Sequence, residues 1–145
     1  MNTSTQSYAM AAARVLMAMI FILSGVSKIG AVDATRAYME AMHVPGALLW
    51  PTILFEISAG LLVVVGYRTR IVATLLAGFC LLSAAIFHNQ FSDQIEMIMF
   101  LKNLAMAGGY ALLASVGPGQ LSLDARRRKA SPGKVMTPVD DGVQP

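Results

Sequence analysis

The chain has 145 residues, of which 56% are hydrophobic and 13% are charged, with a formal net charge of +3 and a mean hydropathy of +0.61. Soluble domains are on average about 45–50% apolar and about 25% charged, so the composition excludes a disordered protein, a nucleic-acid binder built on basic patches and most soluble globular domains. Cys80 is the only cysteine, which excludes an intramolecular disulfide framework and a cysteine-rich zinc or iron–sulfur site.

The first apolar segment covers about residues 9–29 and has Arg14 and Lys28 near its ends. A helix that crosses a bilayer needs about 20 mainly apolar residues, so this segment predicts a first transmembrane span. A cleaved signal peptide is the alternative interpretation. It is disfavoured because no A-x-A-like cleavage site follows and the stretch before Arg14 carries no charge.

A short helix is predicted from Asp33 to Met42, after the first span. Asp33 can cap its beginning, and the Pro45-Gly46 dipeptide ends it. Apolar and aromatic side chains on this helix are expected to lie on the outer membrane surface, namely Tyr38, Met39 and Met42. The sequence therefore predicts an interfacial helix between the first and second spans.

Three more apolar segments predict spans near residues 47–66, 71–90 and 96–116. Glu56 is the one charged residue inside the second, and the third lies in a stretch without charge between Arg70 and Asp93. The predicted fold class is all-α, an integral membrane four-helix bundle with a short interfacial helix after its first span.

The basic residues predict the orientation of the bundle. Lys28, Arg36 and Lys102 fall on one side, which leaves eight of the eleven basic residues on the side of the termini. Short loops rich in Lys and Arg stay cytoplasmic, so both termini, including the short segment 1–7, are expected in the cytoplasm. The polar tail 126–145 is expected to be disordered. Its RRRK run is interpreted as a topology anchor, with contact to anionic lipids as an alternative.

Glu56 is the most informative polar residue, because it lies near the middle of its predicted helix and cannot easily reach water. It must be protonated or paired with a cation. Lys102 is the predicted partner, and Asn103 stands beside it. Adding His88 and Lys28 gives a predicted polar cluster in the outer half of the bundle, to which all four spans contribute.

Two interpretations of these polar residues stay open. The cluster is either a buried ion pair that fixes the register of the helices or a polar pocket that binds a ligand. Arg14 and Lys28 either reach opposite membrane interfaces with their long side chains or belong to the interior. Cys80 and the methionines are interpreted as packing residues, and His43 with His88 is a weak signal for a bis-histidine haem.

The chain resembles the DoxX family of small bacterial inner-membrane proteins over about residues 8–125. The resemblance rests on RVLMAMIFILSGVSKI in the first span, FEISAGLLVVVGYRTR across the second span and its turn, and KNLAMAGGYALLASVGPGQLSLD at the end of the bundle. It implies a four-helix membrane bundle in the bacterial inner membrane. It also implies that Lys28, Glu56, Lys102 and Asn103 occupy the family's recurrent polar positions, with Arg14 and Asp124 matching its cytoplasmic-side positions and pairing across the helix ends.

The resemblance also implies a functional expectation, since the family is associated with quinone-linked oxidoreductases, terminal oxidases and oxidative-stress complexes. The first hypothesis is a quinone-linked or redox-accessory membrane subunit, with quinone as the candidate cofactor and redox proteins as candidate partner subunits. A non-enzymatic membrane scaffold is the second hypothesis, and a small-molecule permease is the third. The lipid bilayer is the expected surrounding, a homo-oligomer is a candidate assembly, and no nucleic-acid partner or metal site is expected.

Overall fold

The computed structural model describes residues 3–130, and every regular element in that range is a helix. The helices are α1 (Thr3–Gly30), α2 (Val32–Ala41), α3 (Leu49–Val65), α4 (Thr69–Phe87), α5 (Gln94–Val116) and α6 (Leu123–Ala130), with a single turn of 3₁₀ helix at Gly46–Leu48 before α3. Four of them, α1, α3 with its preceding turn, α4 and α5, are long and apolar enough to cross a membrane. The predicted all-α four-helix fold is confirmed.

The ends of the helices differ from the predictions in two places. Helix α1 begins at Thr3, so most of the segment predicted as a short N-terminus is helical. Residues 126–130 belong to α6, so the prediction of a disordered tail is wrong for them, and residues 131–145 lie outside the described part of the chain. A row of good helix formers, Ala125 to Ala130, lets the helix continue through the basic run.

The helices pack as two pairs, α1 against α3 and α4 against α5. Small residues permit the close approach of α1 and α3. A Cβ atom added at Gly25 would lie 2.6 Å from Ile57 Cγ1, and one added at Gly60 would lie 2.7 Å from Ile22 Cγ1. Without an apolar driving force between helices in lipid, such close backbone packing is a main source of helix association. It holds the polar residues of α1 and α3 within reach of one another.

The main core lies between the four long helices. Tyr110 is fully buried, and its hydroxyl donates a 2.8 Å hydrogen bond to the Met17 carbonyl, which links α5 to α1. Phe21 packs edge-on against Tyr110 and Phe79, with ring centroids 5.5 and 6.0 Å apart. Cys80 is buried in the same core, in agreement with its interpretation as a packing residue.

Helix α2 does lie between the first two spans, as predicted, although its position relative to the membrane interface stays a prediction. Its Met39 is buried against Leu49 and Ile53 in a second, smaller core, so the expectation that Met39 faces the membrane surface is wrong. The predicted cap is also wrong. Ala31 occupies the N-cap position without a side-chain hydrogen bond, and Asp33 stands in the first turn.

Candidate functional site

A buried ion pair joins the first and second spans. Lys28 Nζ lies 3.0 and 2.9 Å from the two carboxylate oxygens of Glu56 and 2.5 Å from Ser24 Oγ. The Glu56 side chain is 5% exposed and the Lys28 side chain 23% exposed, so the pair is largely withdrawn from the surroundings. Ser24 Oγ also lies 3.3 Å from Glu56 Oε1, which completes a triangle of three polar groups.

The direction of side chains on a helix explains why this pair forms. Glu56 lies seven residues inside α3, which corresponds to roughly 10 Å, whereas Lys28 is two residues from the end of α1. Side chains on a helix lean towards its N-terminus. Because α1 and α3 run in opposite directions, Lys28 leans into the bundle and Glu56 leans towards the end that holds Lys28.

The predicted pairing of Glu56 with Lys102 is therefore wrong. Lys102 is exposed, and its neighbour Asn103 is half-buried. Helix α5 buries Ala107, Tyr110 and Leu113, and at about 100° per residue Asn103 lies ~40° from Ala107 and Lys102 ~140° from it. Lys102 thus projects from the other face of α5, away from the ion pair.

A cavity of about 500 Å³ lies beside the ion pair, at the end of the bundle that holds Lys28. Its wall is mainly apolar, and residues from α1 to α5 contribute to it. Its polar lining residues are Ser24, Lys28, Thr35, Tyr38, Thr52, Glu56, Ser83, His88 and Asn103. Tyr38 stacks on Phe87 with ring centroids 5.6 Å apart, so α2 and α4 meet at the rim of the cavity.

Four of the five residues predicted for the polar cluster line this cavity, and Lys102 does not. Asn103 donates a 3.0 Å hydrogen bond to Met99 O in its own helix, which leaves part of its amide for other partners. His88 Nδ1 lies 2.8 Å from Glu96 Oε2, so His88 is tied to the start of α5. His43 is exposed and absent from the lining, so it is not placed with His88 for a haem site.

Sequence reasoning overlooked Ser24 and Ser83 as members of this site. Ser24 precedes Lys28 by four residues, the spacing at which two side chains of a helix lie on the same face. That spacing could have identified Ser24 as a neighbour of Lys28 from the sequence alone. Ser83 carries no comparable signal, because an isolated serine in an apolar helix is common. Within residues 3–130 no group of three His, Cys, Asp or Glu side chains could hold a metal ion.

Arg14 lies at the opposite end of the bundle, where it is 2% exposed. Its Nη2 donates to the Leu121 carbonyl, and within the described residues its Nε and Nη1 have no hydrogen-bond partner. The Arg14 side chain is enclosed by protein, which contradicts the interpretation that it reaches a membrane interface. Lys28 is paired with Glu56, and its depth in the membrane stays a prediction. Gly66, which follows α3 in the left-handed conformation with φ of 69°, leaves the space that the guanidinium of Arg14 fills.

Asp124 lies close to this end of Arg14 but binds the main chain of the turn before α4. Its two carboxylate oxygens accept hydrogen bonds of 2.8 and 2.9 Å from the amides of Arg68 and Thr69. The predicted direct pair between Arg14 and Asp124 is therefore wrong, although both groups fasten the same cluster of turns. Asp124 instead caps the beginning of α4, where the free amides of a helix favour a negative charge.

The model of the DoxX family matches residues 9–89, which is more than half of the chain. The chain belongs to the DoxX family. The match covers α1 to α4 and includes the Lys28–Glu56 pair and its cavity wall on those helices. It ends before α5, so Asn103 and Asp124 lie beyond it.

The chain is also similar to two inner membrane proteins of Escherichia coli over most of its length. The chain is 46% identical to the inner membrane protein YqjF of Escherichia coli over 112 residues, which cover 77% of this chain and 86% of the relative. It is 37% identical to the inner membrane protein YphA of the same organism over 121 residues, covering 79% and 86%. No solved structure matches the chain. With its four apolar helices, this DoxX protein is a multi-pass inner-membrane protein.

The cap that Asp124 provides in this DoxX protein gives a prediction with a pH dependence. Asp124→Ala is expected to lower the free energy of unfolding at pH 7 by about 1 kcal/mol, the usual effect of losing a helix cap. Burial acts to raise the pKa of Asp124, but hydrogen bonds from Thr69 and Arg68 and the charge of Arg128 outweigh it and lower that pKa. The stabilisation by the Asp124 carboxylate is therefore complete above the pKa of Asp in the unfolded state, which is about 4. It is lost as the pH falls through the lower pKa that Asp124 has in the folded state.

Chemical unfolding in detergent at pH 7 and at successively lower pH measures this effect. The difference in stability between the wild type and Asp124→Ala should shrink as the pH falls below about 4. Asp33→Ala is the matched control, because Asp33 is exposed and supplies no cap to α2. Its effect should stay below about 0.5 kcal/mol. A difference for Asp124→Ala that does not change with pH would contradict the capping role.

Proposed function

We propose that this protein is a quinone-linked, redox-accessory subunit of the inner membrane that holds a quinone head group in the cavity beside Lys28 and Glu56. The observation that supports the proposal most strongly is the cavity itself. Its volume of about 500 Å³ lies within the range of sites for small molecules, and its wall is mostly apolar with few polar groups. A quinone has the matching chemistry, with an apolar ring and two carbonyl oxygens that accept hydrogen bonds.

The donors that face a ligand are not those of the ion pair. The three ammonium hydrogens of Lys28 are already matched by Ser24 and by both oxygens of Glu56. Asn103 keeps an amide hydrogen that its own helix does not use, and Ser83 and Thr52 add hydroxyl groups to the wall. In this proposal Asn103 donates a hydrogen bond to a carbonyl of the quinone. The Lys28–Glu56 pair provides a fixed electric field, and the Glu56 carboxylate accepts a hydrogen bond from a hydroxyl group of the quinol, the reduced form of the quinone.

The electron carrier is supplied by a partner protein in this proposal. The chain contributes the binding, orientation and proton-accepting groups, and its partner exchanges electrons with the head group. A protein that binds the head group but carries no electron carrier of its own requires the redox partner subunits that the family resemblance leads us to expect.

Solvent extraction of the protein purified in native lipid tests the proposal. We expect quinone in the extract, and Asn103→Leu should reduce the bound amount by about fivefold, the effect of losing one hydrogen bond of about 1 kcal/mol. Lys102→Met is the matched control, since Lys102 is the adjacent residue but lies outside the cavity. The control should retain the wild-type amount. An extract without quinone, or an equal loss in both variants, would contradict the proposal.

The second candidate function is a membrane scaffold without a ligand. It is supported by the complete matching of the Lys28 donors, because an ion pair whose donors are all used within the protein can fix the register of α1 and α3 without any ligand. In that case Asn103→Leu should leave both the folded protein and its extract unchanged from the wild type. The extraction experiment therefore separates the two functions.

A further inference from the structure

A group of arginines surrounds a second cavity at the opposite end of the bundle from the ion pair. Its volume is about 480 Å³, and it is lined by Arg68, Arg70, Ile71, Pro118, Asp124, Arg127 and Arg128. We refer to it as the arginine pocket. Its residues come from the turn before α4 and the first turn of α4, from the segment after α5, and from helix α6, so it forms where three parts of the chain meet.

The positive charge of the arginine pocket is only partly neutralised within residues 3–130. Asp124 is its one acidic lining residue, so one carboxylate faces four guanidinium groups, and its two oxygens already accept hydrogen bonds from the amides of Arg68 and Thr69. None of the four lining arginines forms a salt bridge with any part of the described chain. These arginines also act on the neighbouring half-buried Tyr67, whose pKa is lowered by hydrogen bonds from Arg127 and Arg68 and by their positive charge.

One of the arginines is positioned by an aromatic ring, and a second lies close to a glycine. The guanidinium of Arg127 lies over the ring of Tyr67, 5.2 Å from its centre. The guanidinium of Arg70 lies against Gly117, where an added Cβ atom would be 3.5 Å from Nε. Guanidinium groups that are already positioned lose less freedom when they bind an anion, and their planar fork suits the oxygens of a phosphate.

We propose that the arginine pocket binds the phosphate of an anionic lipid head group. The pocket lies at the level where α4 begins and α5 ends, which is the level of the head groups for helices that cross a bilayer. Ile71, in the same wall, is 59% exposed and continues into the apolar surface of α4. A ligand in this pocket therefore meets positive charge on one side and lipid-facing surface on the other, which fits a phospholipid and not a free anion.

Vesicle or nanodisc samples of the full-length protein test the proposal, with phosphatidylglycerol replacing part of the phosphatidylcholine. Native mass spectrometry then counts the retained anionic lipid. We expect retention of phosphatidylglycerol by the wild type and a loss of about fivefold in Arg128→Gln, since each basic group near an anionic surface contributes about 1 kcal/mol. Arg70→Gln should show a similar loss.

Arg126→Gln is the matched control. Arg126 belongs to the same helix and the same basic run as Arg128, but it does not line the pocket. The control should retain the wild-type amount of lipid, and circular dichroism should show the same helix content in all variants. An equal loss in Arg126→Gln would indicate attraction by the whole basic run and would overturn the proposal. Displacement of the lipid by millimolar inorganic phosphate would assign the pocket to a free anion and would also overturn it.

Discussion

Lys28→Met is expected to lower the free energy of unfolding by about 3 kcal/mol, because it leaves the carboxyl group of Glu56 buried without its cation. Glu56→Gln should have a smaller effect of about 1–2 kcal/mol. The Gln side chain can still bond to Ser24, and Lys28, which stands two residues from the end of α1, can turn towards the membrane surface. Removing the charge of Lys28 is thus expected to destabilise the protein more than removing the charge of Glu56.

The combined variant Lys28→Met/Glu56→Leu should recover much of this loss, since two apolar side chains remove the need for pairing. A double-mutant cycle of Lys28→Met, Glu56→Leu and the combined variant measures the coupling between the two sites, by denaturant titration in detergent followed by circular dichroism. Lys102→Met is the control of the same chemistry, and it should change stability by less than about 0.5 kcal/mol because Lys102 is exposed on α5. Additive losses for Lys28 and Glu56 would show that the pair is not a unit.

Gly66→Ala is expected to destabilise the protein by about 3 kcal/mol for two physical reasons. The left-handed backbone at φ of 69° costs a residue with a Cβ atom about 1–2 kcal/mol. In addition, the new methyl group would overlap with Arg14 Nη1 and would lie 2.5 Å from Ser122 Cβ, and such overpacking costs about 1–3 kcal/mol. The substitution should therefore loosen the contact between α1 and the segment before α6.

Denaturant titration of Gly66→Ala beside Gly78→Ala measures this prediction. Gly78 lies inside α4, and an added Cβ atom there meets nothing within 4 Å. Gly78→Ala should thus be neutral or stabilising by up to about 1 kcal/mol. Introducing Gly66→Ala into an Arg14→Ala background should remove the part of the loss that comes from overlap. If Gly66→Ala and Gly78→Ala behave alike, the close contact with Arg14 does not exist in solution.

The helices were predictable because length, apolar content and charge spacing act locally. The spans expected near 71–90 and 96–116 correspond to α4 (Thr69–Phe87) and α5 (Gln94–Val116) within a few residues. Glu56 was recognisable as an interior residue for the same reason, since a charge in the middle of an apolar run has no other place. The fold class and the most informative residue are thus properties of single segments.

The partner of Glu56 was harder to predict, because pairing depends on how two helices are rotated about their axes. Depth alone made Lys102 a suitable cation for Glu56. The orientation of α5 excludes this pairing, because the face of α5 that points into the bundle contains Asn103 and not Lys102. The hydrogen-bond partner of the Arg14 guanidinium was unpredictable for a related reason. Its acceptor is the main-chain carbonyl of Leu121, more than one hundred positions away in the sequence.

The Lys28–Glu56 pair also has a consequence for the biogenesis of this protein. A charged residue at the centre of a helix opposes entry into the bilayer by about 3 kcal/mol, and α3 carries such a residue. Helix α1 precedes α3 in the chain and is synthesised first, so the ammonium group of Lys28 is available when Glu56 reaches the membrane. We therefore expect the first span to help the second span to enter the bilayer, by pairing Lys28 with Glu56 during insertion.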